Sequence, residues 1–247
     1  MVVSPLPRDG SGRWSRWVLA AGLVTLLAGS ACQRAPGETA AEAVRSTPAA
    51  DLAPVETAVP SRPRIVVLGD SLTAGLGIAP EEAYPARLQE RLDAEGFSYD
   101  VVNAGVSGDT TAGGRRRAEW ALDGDVRVLI VALGGNDALR GLPTEQMKDN
   151  LEAIIELARS RDVAVLLAGM EAPPNFGEAY TNEFRQVFHD LADEGSVTFV
   201  PFLLDGVAGE PGFNQRDGIH PNATGARRVA DLLWPALREI LASQAVP

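Results

Sequence analysis

The chain has 247 residues, enough for one well-buried domain and an appendage, with 45% hydrophobic and 22% charged residues. Its formal net charge of −11 excludes the clustered basic surface on which nucleic-acid binding relies. A single cysteine, Cys32, excludes an intrachain disulfide, and without a CxxC or dense Cys/His cluster no structural zinc site is expected.

The first 31 residues have the layout of an export signal: Arg8, Arg13 and Arg16, an apolar stretch over residues 17–28, then Gly29, Ser30 and Ala31. That stretch falls short of the roughly 20 apolar residues of a membrane span. Cys32 follows the small residues directly, as at a bacterial lipobox, where the cysteine is acylated and becomes the mature N-terminus. Cleavage by an ordinary signal peptidase, leaving a free thiol, is the other reading. Removing residues 1–31 takes away three Arg and one Asp, a net +2, so the formal charge moves from −11 to −13. Residues 32–62, rich in Ala, Pro, Thr and Glu without apolar period, are expected to be a flexible linker, and residues 63–247 a single domain.

In that domain, Ile65-Val66-Val67-Leu68 is a continuous apolar run, as in a strand buried on both faces. A helix follows over residues 81–95, with Leu88 and Leu92 four apart, and then a strand over 99–102. Gly113-Gly114-Arg115-Arg116-Arg117 lacks the Gly-Lys-Ser/Thr of a phosphate loop and suggests a solvated basic helix face. A second buried strand spans 126–133. The helix over 144–160 has Thr144 as its expected cap and Met147, Leu151, Ile154, Ile155 and Ala158 as its stripe. A strand over 163–168, a helix over 181–194, a strand over 197–200 and a helix from Pro221 to about Leu241 complete the series. About five strands alternating with helices predict an α/β domain with a parallel sheet covered on both faces. The working site of such a sheet lies beyond the carboxyl ends of its strands.

Polar residues stand at those ends. Gly69-Asp70-Ser71-Leu72 places a serine on a strand-to-helix turn, suited to a nucleophile whose own N–H points into the same space. Thr73 departs from G-x-S-x-G and speaks against the α/β-hydrolase family; alone, the serine fits an ordinary helix cap equally well. After the second strand, Gly105 can bring a backbone N–H close to an oxyanion, or simply make a turn. After the third, Asn136 in Gly134-Gly135-Asn136-Asp137 can aim its amide at the same oxyanion, or form an Asx turn. In Asp217-Gly218-Ile219-His220-Pro221 the proline keeps His220 out of a helix. The carboxylate can then fix the tautomer while the other ring nitrogen acts as base, or Asp217 can simply cap the turn beside an incidental histidine, a weaker reading in a chain with two histidines. The second histidine, His189, sits in a helical stretch and is expected to be structural. Together these residues supply every role that acyl transfer needs.

These blocks resemble those of the GDSL, or SGNH, hydrolase family: Gly69-Asp70-Ser71-Leu72, the Gly105 turn, Gly134-Gly135-Asn136-Asp137 and Asp217-Gly218-Ile219-His220-Pro221. The resemblance covers residues 64–241. It is greatest to bacterial multifunctional thioesterase I / lysophospholipase L1 / arylesterase enzymes, helped by the segments 103–114, 139–143 and Pro173-Pro174-Asn175. It implies a flavodoxin-like three-layer α/β/α fold with a central parallel sheet, and hydrolysis of small acyl esters or thioesters, lysophospholipids included, without metal or cofactor. Carried over, Ser71 is the nucleophile, His220 the base and Asp217 its partner. The Ser71 N–H, Gly105 and Asn136 form the oxyanion hole. The acyl pocket is expected between the loop after Gly169, with Pro173, Pro174 and Phe176, and residues 138–142, with Leu139. Asp70, Leu72 and Asp137 complete the expected substrate-binding set. Cys32 and the long linker depart from the soluble periplasmic members, so an exported envelope protein lipid-anchored through Cys32 is expected, and, with no exposed heptad to suggest assembly, a monomer. The competing readings are a carbohydrate O-deacetylase of the same family, disfavoured by 6% aromatics for stacking sugars, a catalytically silent envelope lipoprotein, and a flavodoxin-type cofactor binder.

Overall fold

The computed structural model describes residues 62–194 and 197–244. The export signal, Cys32 and all but the last residue of the linker lie outside the described residues. Five parallel strands form one sheet in the order β2-β1-β3-β4-β5: β1 Arg64–Gly69, β2 Asp100–Gly105, β3 Val126–Ala132, β4 Ala164–Ala168 and β5 Thr198–Val200. The two apolar runs take the centre: Ile65–Leu68 of β1 and Val128–Val131 of β3 are fully buried, because helices cover both faces. α2 (Tyr84–Ala94) packs with α7 (Ala223–Gln244), while α5 (Thr144–Arg159) packs with both α3 (Thr111–Ala121) and α6 (Glu178–Asp193). Two short helices, α1 (Ser71–Ala74) and α4 (Gly135–Leu139), sit directly after β1 and β3. This is the flavodoxin-like order, whose direction reverses between β1 and β3, the switch point at which such sheets bind ligands.

Several helix ends differ from expectation. The 81–95 helix is a 3-10 turn at Pro80–Glu82 followed by α2, which admits Pro85 in its first turn. Thr144 does not cap α5; Pro143 holds the cap position, and Thr144 is buried as the first helical residue. α6 begins three residues earlier than expected, after Gly177. α7 begins at Ala223, not Pro221: Asn222 Oδ1 accepts from the N–H groups of Thr224 and Gly225, each at 3.0 Å. Pro221 instead pairs with Asn214 in an isolated bridge. Among the described residues no helix is long and apolar enough to cross a membrane.

Candidate functional site

The C-terminal ends of β1, β2 and β3 lie level, with Gly69 opposite Gly105 on one side and Ala132 on the other. Whatever follows each strand therefore converges. Asp70 turns the chain out of β1 and caps α1, its Oδ1 accepting from the Leu72 N–H at 3.0 Å. Ser71 is thereby the first residue of α1. Its Oγ lies 2.9 Å from His220 Nε2. His220 Nδ1 lies 2.7 Å from Asp217 Oδ2. A carboxylate can only accept, so Nδ1 carries the proton and Nε2 is left to accept from the serine hydroxyl. Asp217 Oδ1 accepts from the N–H groups of Ile219 and His220, each at 3.0 Å, which fixes the turn that joins the pair. The Ile219 N–H, then the His220 ring and N–H, hold the Asp217 carboxyl down to about 2. It therefore stays ionised wherever His220 can serve as base.

Asn136 follows β3 on α4, across the switch point from Ser71. One N–H of its amide donates to Asp70 Oδ2 at 3.0 Å, leaving the second free for another acceptor. Burial pushes the Asp70 carboxyl up, and the bonds from Leu72 and Asn136 pull it partly back.

The turn after β2 departs from expectation. The Gly105 N–H donates to Asn103 Oδ1 at 3.0 Å, and Asn103 in turn donates to the Thr73 carbonyl. A Cβ on Gly105 would stand 2.3 Å from the backbone N of Ala74. That glycine lets α1 lie against β2, and it does not line the site. Gly108, three residues on, does line it, and its φ of +83° suits glycine. Neither its N–H nor that of Ser71 donates to an acceptor among the described residues. Gly105→Ala should therefore act through structure: the clash moves backbone, costing about 1–3 kcal/mol, and the melting temperature falls together with turnover.

The expected solvated basic face is only partly so. Arg115 and Arg116 are exposed, but the Arg117 guanidinium is tucked in. It donates to Asp109 Oδ2 at 2.7 Å, to the Ala104 carbonyl at 2.6 Å and to the Gly69 carbonyl at 2.7 Å. One planar fork thus ties the ends of β1 and β2 beneath the site. Asp137 is also structural in placement. It is buried and accepts from the N–H (2.9 Å) and hydroxyl (2.6 Å) of Thr111, which anchors α4 to α3.

A cavity of about 470 Å³ opens over Ser71, Asn136 and His220. Of the expected substrate-binding residues, Asp70, Leu72, Leu139 and Pro173 line it, whereas Asp137, Pro174 and Phe176 stand outside. Phe176 instead packs on Tyr180. Its apolar wall also includes Leu76, Met170, Phe202 and Leu204, which the sequence reading missed. For Phe202 and Leu204 the signal was the run Phe202-Leu203-Leu204 after β5, apolar and outside any expected element. At the edge, Glu171 is locked to Arg185 by two bonds of 2.7 Å. His189 lies edge-on to Phe199, away from this cluster. Among the described residues no group of three or more metal-ligating side chains occurs.

Residues 67–228 match the GDSL-like lipase/acylhydrolase family. Among characterised proteins, the chain is 42% identical over 178 residues to an esterase, TesA, of Pseudomonas aeruginosa, covering 72% of this chain and 89% of that one. It is 34% identical over 178 residues to thioesterase 1/protease 1/lysophospholipase L1 of Escherichia coli, covering 72% and 84%. The crystal structure of TesA superposes with a TM-score of 0.69 at 40% identity, covering 72% of this chain and 99% of that one.

Proposed function

The chain belongs to the GDSL-like lipase/acylhydrolase family and hydrolyses carboxylic ester or thioester bonds of small acyl substrates, and we propose that it does so through an acyl-Ser71 intermediate. The observation that carries this is the unbroken line Ser71 Oγ, His220 and Asp217, at 2.9 and 2.7 Å, opening into an apolar cavity.

His220 Nε2 takes the Ser71 proton as Oγ attacks the acyl carbonyl. The carbonyl oxygen becomes an oxyanion that accepts from the Ser71 N–H, the Gly108 N–H and the free Nδ2–H of Asn136. Asp70 has no direct part; it holds the Asn136 amide in its rotamer. The imidazolium, stabilised by ionised Asp217, gives its proton to the leaving alkoxide or thiolate as the tetrahedral centre collapses. Water then enters and loses a proton to Nε2 as it attacks the acyl-serine; the new tetrahedral centre collapses, the imidazolium gives that proton to Ser71 Oγ, and the carboxylic acid is released. The oxyanion donors face the carbonyl oxygen, not the leaving atom, so esters and thioesters use the same groups. Export and acylation of Cys32 complete the proposal and rest on the layout of residues 1–32.

The wall of Leu72, Leu76, Met170, Phe202 and Leu204 favours an alkyl chain over a sugar. A p-nitrophenyl ester series from acetyl to palmitoyl tests this. kcat/KM should climb from acetyl to hexanoyl by up to about fourfold per methylene, the value of about 0.8 kcal/mol for each buried CH₂. A maximum at acetyl would favour the deacetylase instead.

A further inference from the structure

Large apolar side chains exposed singly on a surface need no explanation. Here their placement is not scattered. Six are exposed among the described residues: Leu76, Val106, Trp120, Leu139, Phe176 and Ile219. All but Trp120 sit at the C-terminal end of the sheet, one on each of the five connections that leave β1, β2, β3, β4 and β5. Leu76, Leu139 and Ile219 turn one side to the cavity and leave 47–49% of their surface in water. Val106 and Phe176 do not line the cavity, yet are 46% and 37% exposed. Val106 lies two residues before Gly108, and Phe176 flanks Gly141, close behind Leu139. The apolar rim thus extends past the residues that line the cavity.

Two of the charged side chains near the rim are already engaged. Arg140 donates to the Gly108 carbonyl at 2.7 Å, and Glu171 is paired with Arg185. The chain as a whole carries −11, the opposite of the Lys/Arg clusters that hold proteins to anionic lipid.

We propose that this rim docks on a zwitterionic lipid surface, so that an amphiphilic acyl ester slides its chain from the lipid into the cavity without crossing water. The proposal rests on the acyl-hydrolase reading for its choice of substrate. Docking buries the five side chains among lipid, whose apolar gain needs no countercharge.

The test uses residues 33–247 with Ser71→Ala, so that neither leader nor turnover contributes. This stretch keeps every described element, and the homologous TesA structure corresponds over 99% of its chain to 72% of this one. Sedimentation with phosphatidylcholine vesicles should show binding at millimolar lipid. Val106→Asp should weaken it about tenfold, since a carboxylate would then have to enter the lipid in place of an apolar side chain. Val106→Trp should strengthen it, as tryptophan favours the lipid interface. Trp120→Asp, at the other end of the sheet, should leave it unchanged. No binding by the parent, insensitivity to both Val106 variants, equal loss in Trp120→Asp, or tighter binding to phosphatidylglycerol would overturn the proposal. So would a dimer that Val106→Asp splits, which would assign the rim to a second copy. Hydrolysis of p-nitrophenyl butyrate by the protein with Ser71 intact judges the hydrolase reading separately.

Discussion

Replacing Ser71 by alanine should lower kcat by roughly 10⁴–10⁶-fold and leave KM close to that of the native protein. The reason is local. The hydroxyl is the proposed nucleophile, and its one hydrogen-bond partner among the described residues is His220. Without it, His220 and the oxyanion donors can still act on a bound water, which accounts for the residual rate. The apolar wall is untouched, so substrate still enters. Ser71 is buried at the start of α1, and alanine fits there without a new contact, so the melting temperature should hold. Steady-state kinetics on p-nitrophenyl butyrate, with a melting curve for each protein, checks both statements. A parallel fall in stability and rate would point to a structural serine.

Asn136→Ala has the next largest expected effect, about 10²–10³-fold in kcat with little change in KM. Its free amide N–H is proposed to meet an oxyanion that exists only in the transition state. The variant should also lose stability, because Asp70 Oδ2 loses its donor while remaining in a buried place. A buried acceptor deprived of its partner costs about 1–3 kcal/mol. The two consequences separate: chemical denaturation reads the second, and turnover well below the melting temperature reads the first. An unchanged kcat in a folded Asn136→Ala protein would remove Asn136 from the oxyanion hole.

Much of this was legible because short-range sequence dictates it. Ile65–Leu68 and Val128–Val131 are apolar without interruption, as strands buried on both faces require. The α5 stripe of Met147, Leu151, Ile154, Ile155 and Ala158 is wholly buried, as its period requires. Ser71 and Asn136 each follow a strand end closely, and Asp217 and His220 share one turn, so spacing alone brings them near.

What was hidden depends on partners distant in sequence. One glycine ends β2 and another lies in the turn after it, and only the folded chain shows that Gly105 lies against Ala74 while Gly108 faces the cavity. α3 has a buried face of Thr111, Gly113, Gly114, Ala118 and Ala121, too small to register as an apolar stripe. Those small residues let α3 lie close to the sheet: a Cβ on Gly114 would stand 2.2 Å from Leu133. Arg117 looked like its solvated neighbours because its acceptors, Ala104 and Gly69, are carbonyls on other strands. Met170, Phe202 and Leu204 meet across loops whose course no local pattern sets.

The central claim is that Ser71 is the group acylated in turnover. Treatment with a p-nitrophenyl alkylphosphonate, followed by mass spectrometry of the digested protein, tests it directly. The phosphonyl group should transfer with loss of p-nitrophenolate, add once per chain, and lie on the peptide bearing Ser71, with turnover lost in step. An active protein that is labelled elsewhere, or that loses no activity when Ser71 is labelled, would contradict the account.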